Sequence, residues 1–146
     1  MQALHAVLGA AMIAANLGAG LWGAWCWWQA RPSRAFWPAL RTAQALTVLV
    51  AAQGGIEVLT GAALPSLHLV YGLTPLGVAF LAEQLRIASA QTVLDQRGIE
   101  SSAAVGRLPE TEQRALVREI VRREIGVMAA SALVVCTLGI RAAGLL

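Results

Sequence analysis

The chain contains two histidines, His5 and His68, and each has a glycine four residues further on, Gly9 and Gly72. Residues i and i+4 lie on one face of a helix, so on helices each imidazole would stand above backbone that carries no side chain. Such a surface suits a flat macrocycle, because a side chain there would strike its face. Two neutral imidazoles on facing helices are natural axial ligands of a low-spin haem. The pattern therefore predicts a bis-histidine haem b site.

Three further polar residues lie in or beside apolar stretches: Glu57, Tyr71 and Arg141. An ionisable residue inside a bilayer is costly and is a functional hypothesis by default. Arg141 is expected to pair with a haem propionate. Two imidazoles and a carboxylate also suit zinc or iron, so His5, Glu57 and His68 form an alternative divalent-metal site. No catalytic residue is predicted, and whether the protein is an enzyme stays open.

The composition surrounding these residues is strongly apolar. The 146-residue chain is 58% hydrophobic and 13% charged, against about 45–50% and 25% in soluble domains. We therefore expect a small multi-pass protein of the cytoplasmic membrane. The eleven basic residues, all arginine, cluster along the sequence, and nucleic acid is not an expected partner. Cys26 and Cys136 are isolated and match neither a zinc spacing nor a disulfide framework.

Apolar stretches and turn signals predict one all-α domain, a four-helix bundle, with spans at about 4–28, 42–62, 66–86 and 125–145. Each is close to the roughly 20 residues that cross a bilayer. The first span ends in tryptophans typical of a membrane interface: Trp22, Trp25, Trp27 and Trp28. A short interfacial loop is expected over 36–41 and a tight turn over 61–65. Pro75 is expected to kink the third helix.

The arginines predict the orientation of the bundle. Three lie within 31–41, seven within 83–124, and only Arg141 lies at the opposite end of the spans. The positive-inside rule then places both arginine-rich segments in the cytoplasm and both termini outside. In this arrangement four helices each deliver a polar group to the same outer half of the bilayer.

The segment between the last two spans, about 84–124, is predicted to form a cytoplasmic helical hairpin, with a polar loop over 98–109 and a new helix starting at Pro109. Apolar stripes are expected to pack its arms together. The stripes proposed are Leu85, Ala88, Thr92 and Asp95 on one arm, and Leu116, Val117, Ile120 and Val121 on the other. The alternative is that the hairpin is a docking surface for a cytoplasmic partner.

The first half of the chain resembles the haem A synthase family. Leu4-His5-Ala6-Val7-Leu8 and the later Leu21-Trp22-Gly23-Ala24-Trp25 are similar to that family's histidine-headed helix, which ends in tryptophans. Gln53-Gly54-Gly55, Val58-Leu59-Thr60-Gly61, Pro65 and Leu67-His68 are similar to its glycine-rich span, short outer turn and second histidine. The resemblance covers about residues 4–80 and implies that His5 and His68 ligate one b-type haem. The family's acidic residue before the first histidine and arginine after it are missing, so its oxidative chemistry is not carried over.

Two classes of function follow from these patterns. The first is a membrane haem protein serving electron transfer, haem handling or sensing, with a membrane redox or respiratory partner. The second is a non-enzymatic accessory or scaffold subunit of a membrane complex that binds no cofactor. The lipid bilayer is an expected partner in both, and self-association into a homo-oligomer stays open.

Overall fold

A computed structural model gives the structure of the chain and describes residues 2–62, 65–99 and 102–145. Within these ranges the chain forms five helices: α1 (Gln2–Trp28), α2 (Phe36–Leu59), α3 (Ser66–Gln96), α4 (Ser102–Val105) and α5 (Glu110–Ala142). Apart from the four-residue α4, each is long and apolar enough to cross a membrane. The described ranges contain no strand, so the predicted all-α class with four long apolar helices is confirmed.

The helix α5 is the centre of the bundle, because it packs extensively against both α1 and α3. The helix α1 packs against α2 on its other side, whereas α2 and α3 have few contacts with each other. The main core lies toward the arginine-rich end, where Phe36 and Leu40 of α2 are buried with Ile125 and Met128 of α5. At the opposite end, which carries both histidines, the helices are less closely packed.

The glycines of α1 explain its close approach to α5. Gly20 and Gly23 are buried, and a Cβ at Gly20 would lie 2.7 Å from the Leu133 side chain. A Cβ at Gly23 would lie 2.8 Å from the Cβ of Ala129 and would also overlap the Phe36 ring. Two glycines of the Gly-x-Gly-x-x-Gly sequence at 18–23, Gly20 and Gly23, therefore serve helix packing, as small residues do at helix interfaces in membranes.

We expect Gly23→Ala to lower the free energy of unfolding by about 1–3 kcal/mol, because overpacking forces side chains and backbone to shift. Gly18→Ala is the matched control, since a Cβ at that position of the same helix meets nothing within 4 Å. Unfolding of the two variants in detergent with increasing denaturant would measure the difference. Equal stability of both variants would contradict the close packing described for Gly23.

A buried polar contact also joins α1 to α2. The side chain of Asn16 is 2% exposed, and its Nδ2 donates hydrogen bonds to the carbonyl of Met12 at 2.9 Å and to Thr47 Oγ1 at 3.2 Å. Thr47 in turn donates to the carbonyl of Ala43. This is the interhelical use of polar residues expected in a membrane bundle.

The start of α2 differs from the prediction. Residues 36–41, expected to form a loop, are the first turn and a half of the helix, with Pro38 inside its first turn. Proline is tolerated there because the first four amides of a helix have no acceptor within it. The helix also ends earlier than the expected boundary, at Leu59, and Gly61 follows with φ +95°. The rest of the predicted 61–65 turn includes residues 63 and 64, which lie outside the described ranges.

The hairpin between the last two spans packs on itself, but by a different face of α3 than predicted. Val93 and Leu94 of α3 are buried against Leu116 of α5, with Ile99, Val105, Leu108 and Ile120 packed around them. Leu85, Ala88, Thr92 and Asp95 are exposed instead, and so is Val117. The predicted packing stripe on α3 is therefore wrong. Both faces of this arm carry apolar residues, and the contact with Leu116 determines which face is buried.

The last helix begins where it was predicted to begin but ends earlier than predicted. Pro109 immediately precedes α5, and Glu110 and Glu112 lie in its first turn, as expected for a helix start. Its other end is Ala142, so the helix does not continue to 145. The short α4 within the expected loop was not predicted, since four residues carry too little periodicity to be detected.

Candidate functional site

A large cavity opens at the histidine end of the bundle. It is lined by residues of α1, α2, α3 and α5 and has a volume of about 1320 Å³. Ligand pockets in proteins usually measure about 300–1,000 Å³, so the space suffices for a large organic cofactor. The few contacts between α2 and α3 leave the cavity without a closed wall on that side.

The two histidines meet in this cavity although α1 and α3 approach each other little elsewhere. The centroids of the His5 and His68 rings are 5.9 Å apart, and their planes are inclined by 50°. With metal–nitrogen bonds of about 2 Å, and ring nitrogens about 1.2 Å from the centroid, imidazoles on opposite sides of one metal ion have centroids about 6.4 Å apart. The observed separation is about 0.5 Å shorter than that value.

The ring of His68 is held by a backbone contact. Its Nδ1 lies 3.0 Å from the carbonyl oxygen of Ala142 at the end of α5. A carbonyl can only accept, so Nδ1 is the donor in this contact, and in a neutral ring Nε2 then keeps its lone pair. Metal-ligating histidines commonly have their second nitrogen fixed in this way. The contact therefore leaves His68 in the tautomer that an Nε2 ligand requires.

The ring of His5 is less constrained. Its Nδ1 is buried, and no described residue provides it with a hydrogen-bond partner. A buried polar atom without a partner is costly, by about 1–3 kcal/mol. Ligation through Nδ1, or a bound ligand with a polar group beside it, would remove that cost.

The glycines that follow the histidines border open space. A Cβ added at Gly9 or at Gly72 would meet nothing within 4 Å, and both residues line the cavity. A third glycine contributes from α2, because a Cβ at Gly54 would lie 3.5 Å from Cε1 of His5. Gly54 was not among the predicted site residues, because it shares no helix with a histidine. Its signal in the sequence was the glycine-rich stretch Gln53-Gly54-Gly55 inside an apolar span.

The remaining predicted site residues have different positions. Glu57 and Tyr71 line the cavity, whereas Arg141 is exposed and its guanidinium lies 5.8 Å from the centroid of the Tyr71 ring. Arg141 is thus in a cation–π contact at the rim. Pro75 is buried in α3 and also lines the cavity. Its lack of an amide proton removes the bond to the Tyr71 carbonyl.

The alternative metal site with three protein ligands finds no support among the described residues. Glu57 accepts a hydrogen bond from Gln53 at 3.4 Å, one turn earlier in α2. No three His, Cys, Asp or Glu side chains of the described ranges come together as a metal-binding group. The donor groups that do come close together are the two imidazoles, and such a pair suits a cofactor that supplies its own equatorial ligands.

Comparison of the chain with protein-family models, with curated proteins and with solved structures gives no match. The resemblance to the haem A synthase family stays a prediction. The site is therefore interpreted from its own geometry.

Proposed function

We propose that this chain is an integral membrane protein that binds one b-type haem between His5 and His68. Electron transfer, haem handling or sensing would be its role, with a membrane redox or respiratory partner. The histidine end would face the outside of the cytoplasmic membrane, because ten of the eleven arginines lie at or beyond the other end of the spans.

The close pair of imidazoles carries this proposal. Their centroid separation of 5.9 Å is close to that of two axial ligands of one iron, and the contact with the Ala142 carbonyl occupies Nδ1 of His68 rather than Nε2. The open backbone at Gly9 and Gly72 offers space for a flat ring. Tyr71 would contact the bound group from the cavity wall, and Arg141 lies beside Tyr71, where a side-chain rotation would bring it to a propionate.

The number of histidines limits what such a haem could do. With two histidines in the chain there is no second bis-histidine site, so electron transfer across the whole bilayer would need a cofactor in a partner protein. A haem whose two axial positions are filled by side chains has no open position for oxygen, which favours electron transfer, handling or sensing over oxygen chemistry.

The test is an absorption spectrum of the protein purified in detergent from cells supplied with haem precursor, recorded oxidised and reduced. We expect a sharp Soret band and split visible bands on reduction, as low-spin haem gives. A colourless protein that also takes up no added haemin would contradict the proposal. That outcome would favour the accessory-subunit function and shift attention to the hairpin.

Replacement of Glu57 separates the haem from the divalent-metal alternative. We expect Glu57→Gln to keep the haem content within about twofold of the wild type, because two imidazoles ligate the iron and the carboxylate does not. Haem content from the pyridine haemochrome spectrum and metal content from elemental analysis would be measured together. A wild-type protein that contains zinc or iron but no haem, and that loses this metal in Glu57→Gln, would instead support the three-ligand metal site.

A further inference from the structure

The arginine-rich end of the bundle has one side on which charges are paired. Arg41 of α2 forms an ion pair with Glu83 of α3, and Arg86 contacts Glu83 at 3.0 Å. Arg86 also contacts Glu124 of α5 at 3.3 Å and lies over the Trp37 ring. The basic charges between α2, α3 and α5 are therefore offset by carboxylates of the same protein.

The opposite side, where α1 ends against α5, has basic charges without such partners. Of the ion pairs formed by described residues, none includes Arg31, Arg34, Arg118 or Arg122. All four are exposed. Arg122 donates from Nε to the carbonyl of Trp27 at 3.1 Å, and its guanidinium lies 5.7 Å from that indole ring. This side therefore presents net positive charge at the depth where the tryptophans gather.

A shallow hollow of about 290 Å³ lies on this side of the bundle. It is lined by Trp22, Trp25, Cys26, Gln29, Arg31 and Ser33. The indoles of Trp22 and Trp25 are 49% and 60% exposed, so their ring surfaces face outward from α1. Ala30 has a left-handed backbone conformation, with φ 51°, and turns the chain just after α1. Arg31 and Ser33 therefore lie beside the end of α1, where they line the hollow. The hollow thus combines an apolar aromatic wall with a cation and hydrogen-bond donors.

We propose that this hollow binds the headgroup of an anionic phospholipid. Arg31 would pair with the phosphate, the Ser33 hydroxyl and the Gln29 amide would donate to its oxygens, and Trp22 and Trp25 would contact the glycerol and upper acyl chain. The charge complementarity distinguishes this side from the one across the bundle, where Glu83 and Glu124 offset the charges of Arg41 and Arg86. Basic pockets at helix ends on the cytoplasmic side of a membrane commonly bind such headgroups. The proposal is independent of haem, since it involves the opposite end of the bundle.

The test measures lipid binding to the purified full-length chain in detergent by native mass spectrometry, with phosphatidylglycerol and phosphatidylcholine added in turn. We expect the wild type to prefer phosphatidylglycerol, and Arg31→Gln to weaken that binding about fivefold, since one basic residue near a membrane surface contributes about 1 kcal/mol. Arg34→Gln is the matched control. It removes the same charge three residues further along the chain, and Arg34 does not line the hollow. Arg31→Lys, which keeps the charge, should retain most of the preference.

Three results would overturn the proposal. Equal binding of the two lipids by the wild type would mean that no headgroup is recognised. An equal loss in Arg31→Gln and Arg34→Gln would indicate diffuse attraction to the basic end. Displacement of the lipid by inorganic phosphate at equal concentration would indicate a site for a soluble anion. If Arg31→Gln fails to fold, Ser33→Ala and Arg31→Lys provide the comparison.

Discussion

Replacing His68 by alanine is expected to lower the affinity for haem by more than about 100-fold. Loss of an outer partner of a metal ligand alone costs about 10–100-fold, so loss of the ligand itself should cost more. The measurement is a titration of the apoprotein with haemin, followed by the Soret band. The same variant purified from cells should be nearly colourless, or should show a high-spin spectrum if His5 alone retains the iron.

Imidazole rescue makes this result specific to ligation. The cavity of about 1320 Å³ leaves room for a free imidazole in the place of the missing side chain. Millimolar imidazole should therefore restore a low-spin spectrum to His68→Ala. Leu67→Ala is the control on the same helix turn, because Leu67 is 63% exposed and does not line the cavity. Unchanged haem content in His68→Ala would show that the bis-histidine assignment is wrong.

The opening between α2 and α3 bears on which of the proposed roles fits best. Those helices have few contacts, and the cavity lies between them. A haem bound there would have one edge toward the lipid. A protein that keeps its haem permanently would be expected to enclose it more fully. Two axial ligands would hold the iron firmly, but a site open to lipid would permit exchange of haem with the bilayer. Handling or sensing of haem therefore fits this geometry at least as well as electron transfer.

The sequence predicted the four long helices well because apolar stretches of that length have few alternatives to a helix. Stretches of about 20 apolar residues must be helical in lipid, since every backbone polar group has to be satisfied within the segment. That constraint gave the four long helices and the start of α3 at Ser66. It also brought His5 and His68 to the same cavity, since topology alone sets their depth.

The details that the sequence did not predict depend on which face of each helix meets a neighbour. In an apolar helix the lipid-facing side looks like the packed side, so periodicity does not distinguish Leu85 from Val93. The same degeneracy hid Gly54, whose position opposite His5 is set by the packing of α2 against α1. Arg141 was placed at the correct end, but its contact with the Tyr71 ring required the helix rotations to be known.

Gly72→Leu is expected to weaken haem binding about 5- to 150-fold while leaving the bundle folded. A branched side chain there would project into open cavity space, because a Cβ at this position meets nothing within 4 Å. Any ring lying over that backbone would have to displace it, and overpacking of this kind costs about 1–3 kcal/mol. The same haemin titration measures the change in affinity.

Gly77→Leu is the matched control for this last prediction. It makes the same substitution on α3, a Cβ there also meets nothing within 4 Å, and Gly77 does not line the cavity. Both variants should show the helix content and thermal unfolding of the wild type, and only Gly72→Leu should lose haem. Equal affinity in the two variants would mean that the macrocycle does not lie over Gly72. If His68→Ala nevertheless lost haem, the iron would be bound as proposed, but the macrocycle would extend from the two imidazoles in a direction away from Gly72.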